Sequence, residues 1–356
     1  MYHVVFKFFE NLGNGTNVAF EFSPVAFTIF GREIVWYAVL ITTGMILSAL
    51  YAFYRGRTLG IKPDYMYDYA IFTIIFGVIG ARLYYVLTKL EDYKTFASWF
   101  AIWEGGLAIY GGIIGGIIAI IIVSKFRKIN VFTALDAIAP SVMIGQALGR
   151  WGNYFNQEAF GSNTNLPWGM KSWVTQAGST LEGTKEYLET MQIELEELGI
   201  KVDPDGYVHP TFLYESIWNV IGFIIIHFLY KKRRFKGQMF LLYITWYGFG
   251  RTFIEMLRTD SLYIPGTKIR ISMALGALCF VTGLTLLIIF GIKAKKNPPV
   301  LETPIPKETK KDKKAKGSEA QPLSEETVQV IEKHERMSKA LKAVRRESAR
   351  YRIKGR

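Results

Sequence analysis

Residues 131–161, VFTALDAIAPSVMIGQALGRWGNYFNQEAFG, decide the fold. Up to Gly149 the run is apolar enough, and about long enough, to cross hydrocarbon as a helix, which takes about 20 residues. Arg150, Asn153, Asn156, Gln157 and Glu158 then arrive together. At that point the chain either meets an interface that solvates charge or builds a polar site.

Outward from this stretch the composition names the solvent. Half of the 356 residues are apolar and 15% are aromatic, the balance of a membrane protein. Further apolar runs lie at 33–54, 67–88, 105–123, 211–230, 237–257 and 271–292, and with 131–149 they make seven expected spans. The fold class expected is therefore all-α: a polytopic membrane protein of about seven transmembrane helices. The 32 residues before the first run carry no basic start followed by a small-residue cleavage site, so no removed signal peptide is expected. Cys279 lies inside the last run, which excludes an intramolecular disulfide.

Lys and Arg in short loops set orientation. Arg55, Arg57 and Lys62, then Lys125, Arg127 and Lys128, then the run from Lys231 to Lys236 mark cytoplasmic loops. Seven spans then leave the amino terminus outside and the carboxyl terminus inside. A long extracytoplasmic insertion, 161–208, is expected as an arm, with an amphipathic helix over 181–199.

The net charge of +13 resembles a nucleic-acid signal until it is divided. Residues 293–356 hold 19 Lys and Arg against 9 Asp and Glu, whereas everything before them carries a balance of only +3. Two regions follow: a membrane catalytic domain over 1–292, and a basic cytoplasmic tail over 293–356 made of a disordered linker and a helix over 324–350. A basic segment just inside a membrane suits anionic headgroups, and no nucleic acid is implied.

The polar residues in or beside the spans share one side. Tyr37, Arg82, Tyr110, Arg150, His209, Tyr214, Glu215, Arg251, Glu255 and Arg258 all lean toward the exterior end. Each has a plainer explanation. Arg82 and Arg258 can snorkel to headgroups, Tyr37 can be an interfacial anchor, Arg251 and Glu255 can pair one helical turn apart, and His209 before Pro210 can mark a helix start. Their coincidence at one depth points instead to a site, because ionisable groups in a span face the bundle interior or a wet cavity. Guanidinium forks flanked by amides such as Asn153 and Asn156 suit a phosphate. If residues 150–158 stay helical, Arg150, Asn153, Tyr154 and Gln157 form one stripe with Glu158 beside it. IYGGIIGG at 109–116 is expected to serve tight helix packing.

These residues resemble a known family. GRWGNYFNQEAFG at 149–161 is similar to the pattern of the prolipoprotein diacylglyceryl transferases, Gly-Arg-x-Gly-Asn-Phe-x-Asn-x-Glu-x-x-Gly, apart from Tyr154 in the Phe position. The likeness covers roughly 20–292 and includes WY at 36–37, GARLYY at 80–85, WEGGLAIYGG at 103–112, Asp136 with Pro140, PWGM at 167–170, HPTFLYE at 209–215 and GRTFIEMLR at 250–258. The resemblance implies a bacterial cell-membrane enzyme that moves the diacylglyceryl group of phosphatidylglycerol onto the lipobox cysteine of a prolipoprotein signal peptide, releasing glycerol phosphate at the outer leaflet. It implies that Arg150 and Arg251 hold the lipid phosphate and that Tyr37, Asn153, Glu158, Gly161 and Glu255 are needed. No metal-ligand spacing is present and no cofactor is expected.

One position departs from that pattern. Tyr110 stands where the family often has His, and a phenol with an ordinary pKa near 10 is a poor base at neutral pH, although it can donate a hydrogen bond to a phosphate oxygen, or act as the base where a neighbouring Arg lowers its pKa. His209, Glu158 and Glu255 remain as candidates for the proton acceptor. A transporter or flippase of a phosphorylated lipid would also want arginines and glycine-rich helices, but it would place its site near the midplane between internal repeats, and no such repeat is visible. A membrane acyltransferase would want a clear His or Cys nucleophile.

Overall fold

The computed structural model describes residues 2–7, 19–93, 95–102, 105–176, 179–181, 203, 206–264 and 266–305. The helices expected over 181–199 and 324–350 lie outside the described residues, apart from Leu181, which is in a strand. Contacts divide the chain into two units, 1–305 and 306–356.

Among the described residues, seven long helices carry the first unit: α1 Trp36–Thr58, α2 Pro63–Thr88, α3 Ile109–Arg127, α4 Val131–Asn156, α5 Thr211–Leu229, α6 Gln238–Glu255 and α7 Ile271–Lys296. Six of them are long and apolar enough to cross a membrane. The exception is α6, whose 18 residues include Gln238, Arg251 and Glu255 among tyrosines and glycines. Their outward faces are apolar, with Ile74, Ile79, Leu278 and Ile292 each more than half exposed. Such a surface suits hydrocarbon and would drive association in water.

α4 is the central post. It packs on α1, α5, α6 and α3, while α2 pairs with α3 and α6 with α7. Asn130 caps it, its side-chain oxygen accepting from the backbone nitrogens of Phe132 (3.0 Å) and Thr133 (3.3 Å). Pro140 sits inside α4, and its ring cannot donate to the carbonyl four residues back, that of Asp136. The hydroxyl of Tyr230 donates to that carbonyl instead, as a backbone acceptor in an apolar medium requires. The Asp136 carboxylate, fully buried, accepts from Arg233 Nε (2.8 Å) and from the backbone nitrogens of Gly237 (2.8 Å) and Phe240 (2.9 Å). Asp136 and Pro140 therefore organise one end of the bundle, the start of α6 included.

The paired glycines of α3 serve packing. A Cβ on Gly111 or Gly115 would enter the backbone of Gly80 or Phe76 in α2, so the two helices touch backbone to backbone. α3 starts at Ile109 rather than at the expected 105, because Gly105 and Gly106 take left-handed φ of 87° and 76°.

The expectation of an all-α fold is corrected at one end. A four-stranded antiparallel sheet in the order β2-β1-β5-β6 joins β1 Tyr2–Phe6 and β2 Ala19–Phe22 to β5 Met170–Gln176 and β6 Ser179–Leu181. A hairpin of β3 Val25–Ile29 and β4 Arg32–Val35 leads into α1. The amino-terminal segment and the segment after the 149–161 motif thus share one sheet. Val4, Tyr154, Phe160, Met170, Val208 and Phe212 pack together as its core.

Candidate active site

The site is built from helix ends. Arg150 lies in the last two turns of α4, Glu215 in the second turn of α5, and Arg251 and Glu255 in the last turns of α6. Two reciprocal indole bonds hold α5 against α6: Trp218 Nε1 donates to the carbonyl of Trp246 (3.0 Å) and Trp246 Nε1 to that of Trp218 (2.9 Å), with the rings stacked at 4.2 Å. Gly222 and Gly250 make room for them, since a Cβ at either would collide with the opposing indole.

Glu215 is the hub. Its Oε2 lies 2.7 Å from Arg150 Nη2, its Oε1 lies 2.8 Å from Arg251 Nη1, and Arg258 Nη1 approaches Oε1 at 3.7 Å. Arg251 also presents Nη2 to Glu255 Oε2 at 2.7 Å. Arg258, just past α6, is held by Asp260 through bonds of 2.9 and 2.6 Å. Burial alone would draw the Arg258 guanidinium down, but Asp260 outweighs it and keeps the group firmly cationic. Arg270 donates to the backbone carbonyl of Glu255. A carboxylate as buried as Glu215 is tolerable only with such partners, because desolvating an unpaired ion costs several kcal/mol. Tyr247, half-buried one turn before Arg251, is within electrostatic reach of Arg251, Glu215, Arg150 and Glu255. Sequence reasoning did not single it out, although its i−4 spacing from Arg251 was the available signal.

A second chain of contacts runs from Arg150 outward. Arg150 Nη1 donates to Asn153 Oδ1 (3.4 Å), Asn153 Nδ2 to Glu158 Oε1 (2.9 Å), and Asn156 Nδ2 to the same oxygen (3.2 Å). α4 stops at Asn156, and Gln157 turns left-handed with φ 53°. The stripe expected for continuous helix is therefore broken. Tyr154 is buried against Phe22, Phe155 and Phe212, and Gln157 folds back to donate to the Tyr154 carbonyl, while Arg150, Asn153, Asn156 and Glu158 remain linked. Tyr37 packs on Gly152, where an added Cβ would lie 2.5 Å from its ring, and its phenol is within electrostatic reach of Glu158 and Arg150.

Gly161 lies five residues past the end of α4. It pairs with Arg258 in an isolated antiparallel bridge, and its nitrogen donates to the His209 carbonyl (3.0 Å). A side chain there would meet His209 Cβ at 2.6 Å, so a close backbone approach is what the position requires. The His209 ring shares Nδ1 with the Tyr214 hydroxyl at 3.1 Å, and Trp168 Nε1 donates to that hydroxyl at 2.8 Å. Burial lowers the His209 pKa from its ordinary 6.5, leaving the imidazole neutral at pH 7.

Two expected residues have other partners. Arg82 gives Nε to the Trp99 carbonyl (2.9 Å), Nη1 to those of Gly105 (2.6 Å) and Gly106 (3.1 Å), and Nη2 to that of Ser98 (2.8 Å). It therefore shapes the loop before α3. The Tyr110 hydroxyl pairs with Ser272 Oγ at 3.2 Å, between the starts of α3 and α7.

These features can be set beside known proteins. A profile of the prolipoprotein diacylglyceryl transferase family matches residues 24–289. The chain is 38% identical over 275 residues to the phosphatidylglycerol–prolipoprotein diacylglyceryl transferase of Enterococcus faecalis, covering 76% of this chain and 91% of that one. It is 36% identical over 289 residues to the protein of that name from Listeria monocytogenes (81% and 95%) and 39% identical over 274 residues to that of Clostridium novyi (77% and 98%). The three arginines around Glu215, the Asn153–Glu158 chain and Gly161 fall inside the matched region, and the chain belongs to the prolipoprotein diacylglyceryl transferase family.

Proposed function

We propose that this enzyme transfers the diacylglyceryl group of phosphatidylglycerol to the lipobox cysteine of prolipoprotein signal peptides, with the phosphate held by Arg150 and Arg251. The observation that carries the reading is the convergence of these two guanidiniums from α4 and α6 on one carboxylate at one end of the bundle. Planar forks aimed at one point suit a phosphate oxygen pair. Arg150 is the more open of the two, its side chain 22% exposed against 12% for Arg251, so the lipid headgroup enters from the Arg150 side.

In the reaction the cysteine sulfur bonds to the terminal glyceryl carbon, the bond from that carbon to the phosphate oxygen breaks, and the electron pair leaves with glycerol phosphate. The departing phosphate gains negative charge, which the arginines stabilise as it develops. The thiol, with an ordinary pKa near 8.5, gives its proton to a base. We assign that role to Glu158: it is exposed, it is tied through Asn153 to Arg150, and it belongs to the same chain of contacts as the phosphate site. Glu255 is committed to Arg251, and His209 to Tyr214.

All seven helices are assigned as spans, α6 included, since its polar groups turn to α4, α5 and α7 rather than to lipid. Lys and Arg gather at the end opposite the site, among them Arg55, Arg57, Lys62, Lys231 and Lys232. That end is cytoplasmic, which puts the amino terminus and the site at the outer leaflet of the bacterial cell membrane and the carboxyl terminus inside. The regions are assigned as the membrane catalytic domain, with its arm over 161–208, and the basic cytoplasmic tail.

The test is mass spectrometry of a lipobox peptide incubated with purified protein and phosphatidylglycerol, beside Arg150→Ala. A diacylglyceryl mass on the cysteine, released glycerol phosphate and a loss of about a hundredfold or more in the variant are expected. Folded protein that forms no adduct would sink the reading.

A further inference from the structure

The site holds more anion than the proposed reaction explains. Glu215 occupies the point at which Arg150, Arg251 and Arg258 converge, one oxygen facing Arg150 at 2.7 Å and the other Arg251 at 2.8 Å. A carboxylate in that pose presents two oxygens to two guanidiniums, as a phosphate would. It neutralises them away from water: its side chain is 5% exposed, and Trp218, one turn along α5, is locked to Trp246. The charges already balance, with Arg150, Arg251 and Arg258 against Glu215, Glu255 and Asp260. An incoming phosphodiester adds one negative charge, and the leaving phosphomonoester carries up to two.

We infer that Glu215 is a built-in competitor for the phosphate: its carboxylate bridges Arg150 and Arg251 in the empty site, cedes them to the lipid, and reclaims them as glycerol phosphate leaves. The inference rests on the reading that these arginines hold the phosphate. Without an internal competitor, three guanidiniums in a water-poor site would retain the more highly charged product, and product release would limit turnover. Glu215 is on this account a positioning residue. It makes no bond to the reacting carbon, and it sets how long the arginines hold either anion.

The experiment measures turnover of a lipobox peptide with phosphatidylglycerol, and inhibition by added glycerol phosphate, for the unaltered protein, Glu215→Gln and Glu215→Asp. Gln keeps the size and removes the charge, so glycerol phosphate should inhibit at least tenfold more tightly, KM for the lipid should fall, and kcat should fall with it. Asp keeps the charge and, one methylene shorter, cannot span both arginines, so its inhibition constant should lie between the two. If Gln does not fold, the Asp variant and the protection of each folded protein against heat by glycerol phosphate give the same comparison. Variants that lose kcat and thermal stability with an unchanged or weakened inhibition constant would show a merely structural carboxylate and overturn the inference. An unaltered protein that makes the thioether yet is not inhibited by glycerol phosphate at any concentration would instead overturn the placement of the phosphate on Arg150 and Arg251.

Discussion

At the scale of the residue, the spacing of donors separates roles that charge alone does not. Arg251 offers one nitrogen to Glu215 and another to Glu255. Lysine is a single point charge and cannot make both contacts, so Arg251→Lys should lose at least tenfold in kcat/KM although the charge is kept. A steady-state assay on the folded variant decides this. The base can be settled in the same way. His209 has its pKa lowered by burial, so as a base it would give an acid limb below pH 6.5, rate being lost as pH falls through the lowered value. With Glu158 as the base, Glu158→Gln should abolish turnover while lipid still binds, and His209→Gln should leave the pH–rate profile unchanged. Disappearance of that limb would move the role to the imidazole. The motif around Arg150 was legible as a site because its residue types are costly in hydrocarbon. That Tyr154 and Gln157 leave the site was not legible, since it depends on helix α4 ending at Asn156 and on an aromatic cluster supplied by distant segments.

At the scale of the element, two contacts reach beyond what period and composition disclose. Residues after α7 return to the bundle. Glu302 accepts from Thr133 Oγ1 (2.6 Å) and meets Lys236 Nζ (2.9 Å) and Arg233 Nη1 (3.3 Å), and the Ile305 nitrogen donates to the Arg57 carbonyl (3.0 Å). Burial opposes ionisation of Glu302, yet the bonds from Thr133 and Lys236 prevail and its pKa falls below the ordinary 4.5. A depressed carboxylate contributes stability above its unfolded pKa and loses it as pH drops through the folded value. Truncation after Lys296 should therefore lower the melting midpoint by a few degrees relative to truncation after Ile305, about 1–2 kcal/mol for a partly exposed carboxylate. The difference should fade below about pH 4, and turnover should persist in both. Equal midpoints at pH 7 would show that this segment contributes nothing. The arm is the other case. Its strands β5 and β6 lie in the sheet with β1, so the replacement is confined to 182–202. We propose that the arm guides the precursor: a Gly-Ser linker there should leave a short lipobox peptide as a substrate and slow a full-length precursor at least tenfold. Equal slowing of both would refute guidance.

At the scale of the whole molecule, the bundle sorts its polar groups by end. Asp136, Arg233, Glu302 and the Arg55–His227 contact at 2.9 Å stabilise the end opposite Arg150, Glu215 and Arg251. The proposed orientation predicts that, with Cys279→Ser as background, Asp203→Cys reacts with an impermeant maleimide in intact cells. Lys232→Cys should react only after permeabilisation, and the reverse pattern would invert the topology. Read alone, the order of residues discloses the solvent, the approximate positions of the helices, the family and the gathering of charge at one end. These follow from local composition and from spacing along one helix. Which partner each charge has emerges only once the helices and strands are packed. The sheet that joins Tyr2–Phe6 to Met170–Gln176, the Glu215 bridge between α4 and α6, and the return of Glu302 onto α4 join residues far apart in the chain. Pairing of that kind leaves no period in the sequence, because it is set by how the helices cross and not by any one of them.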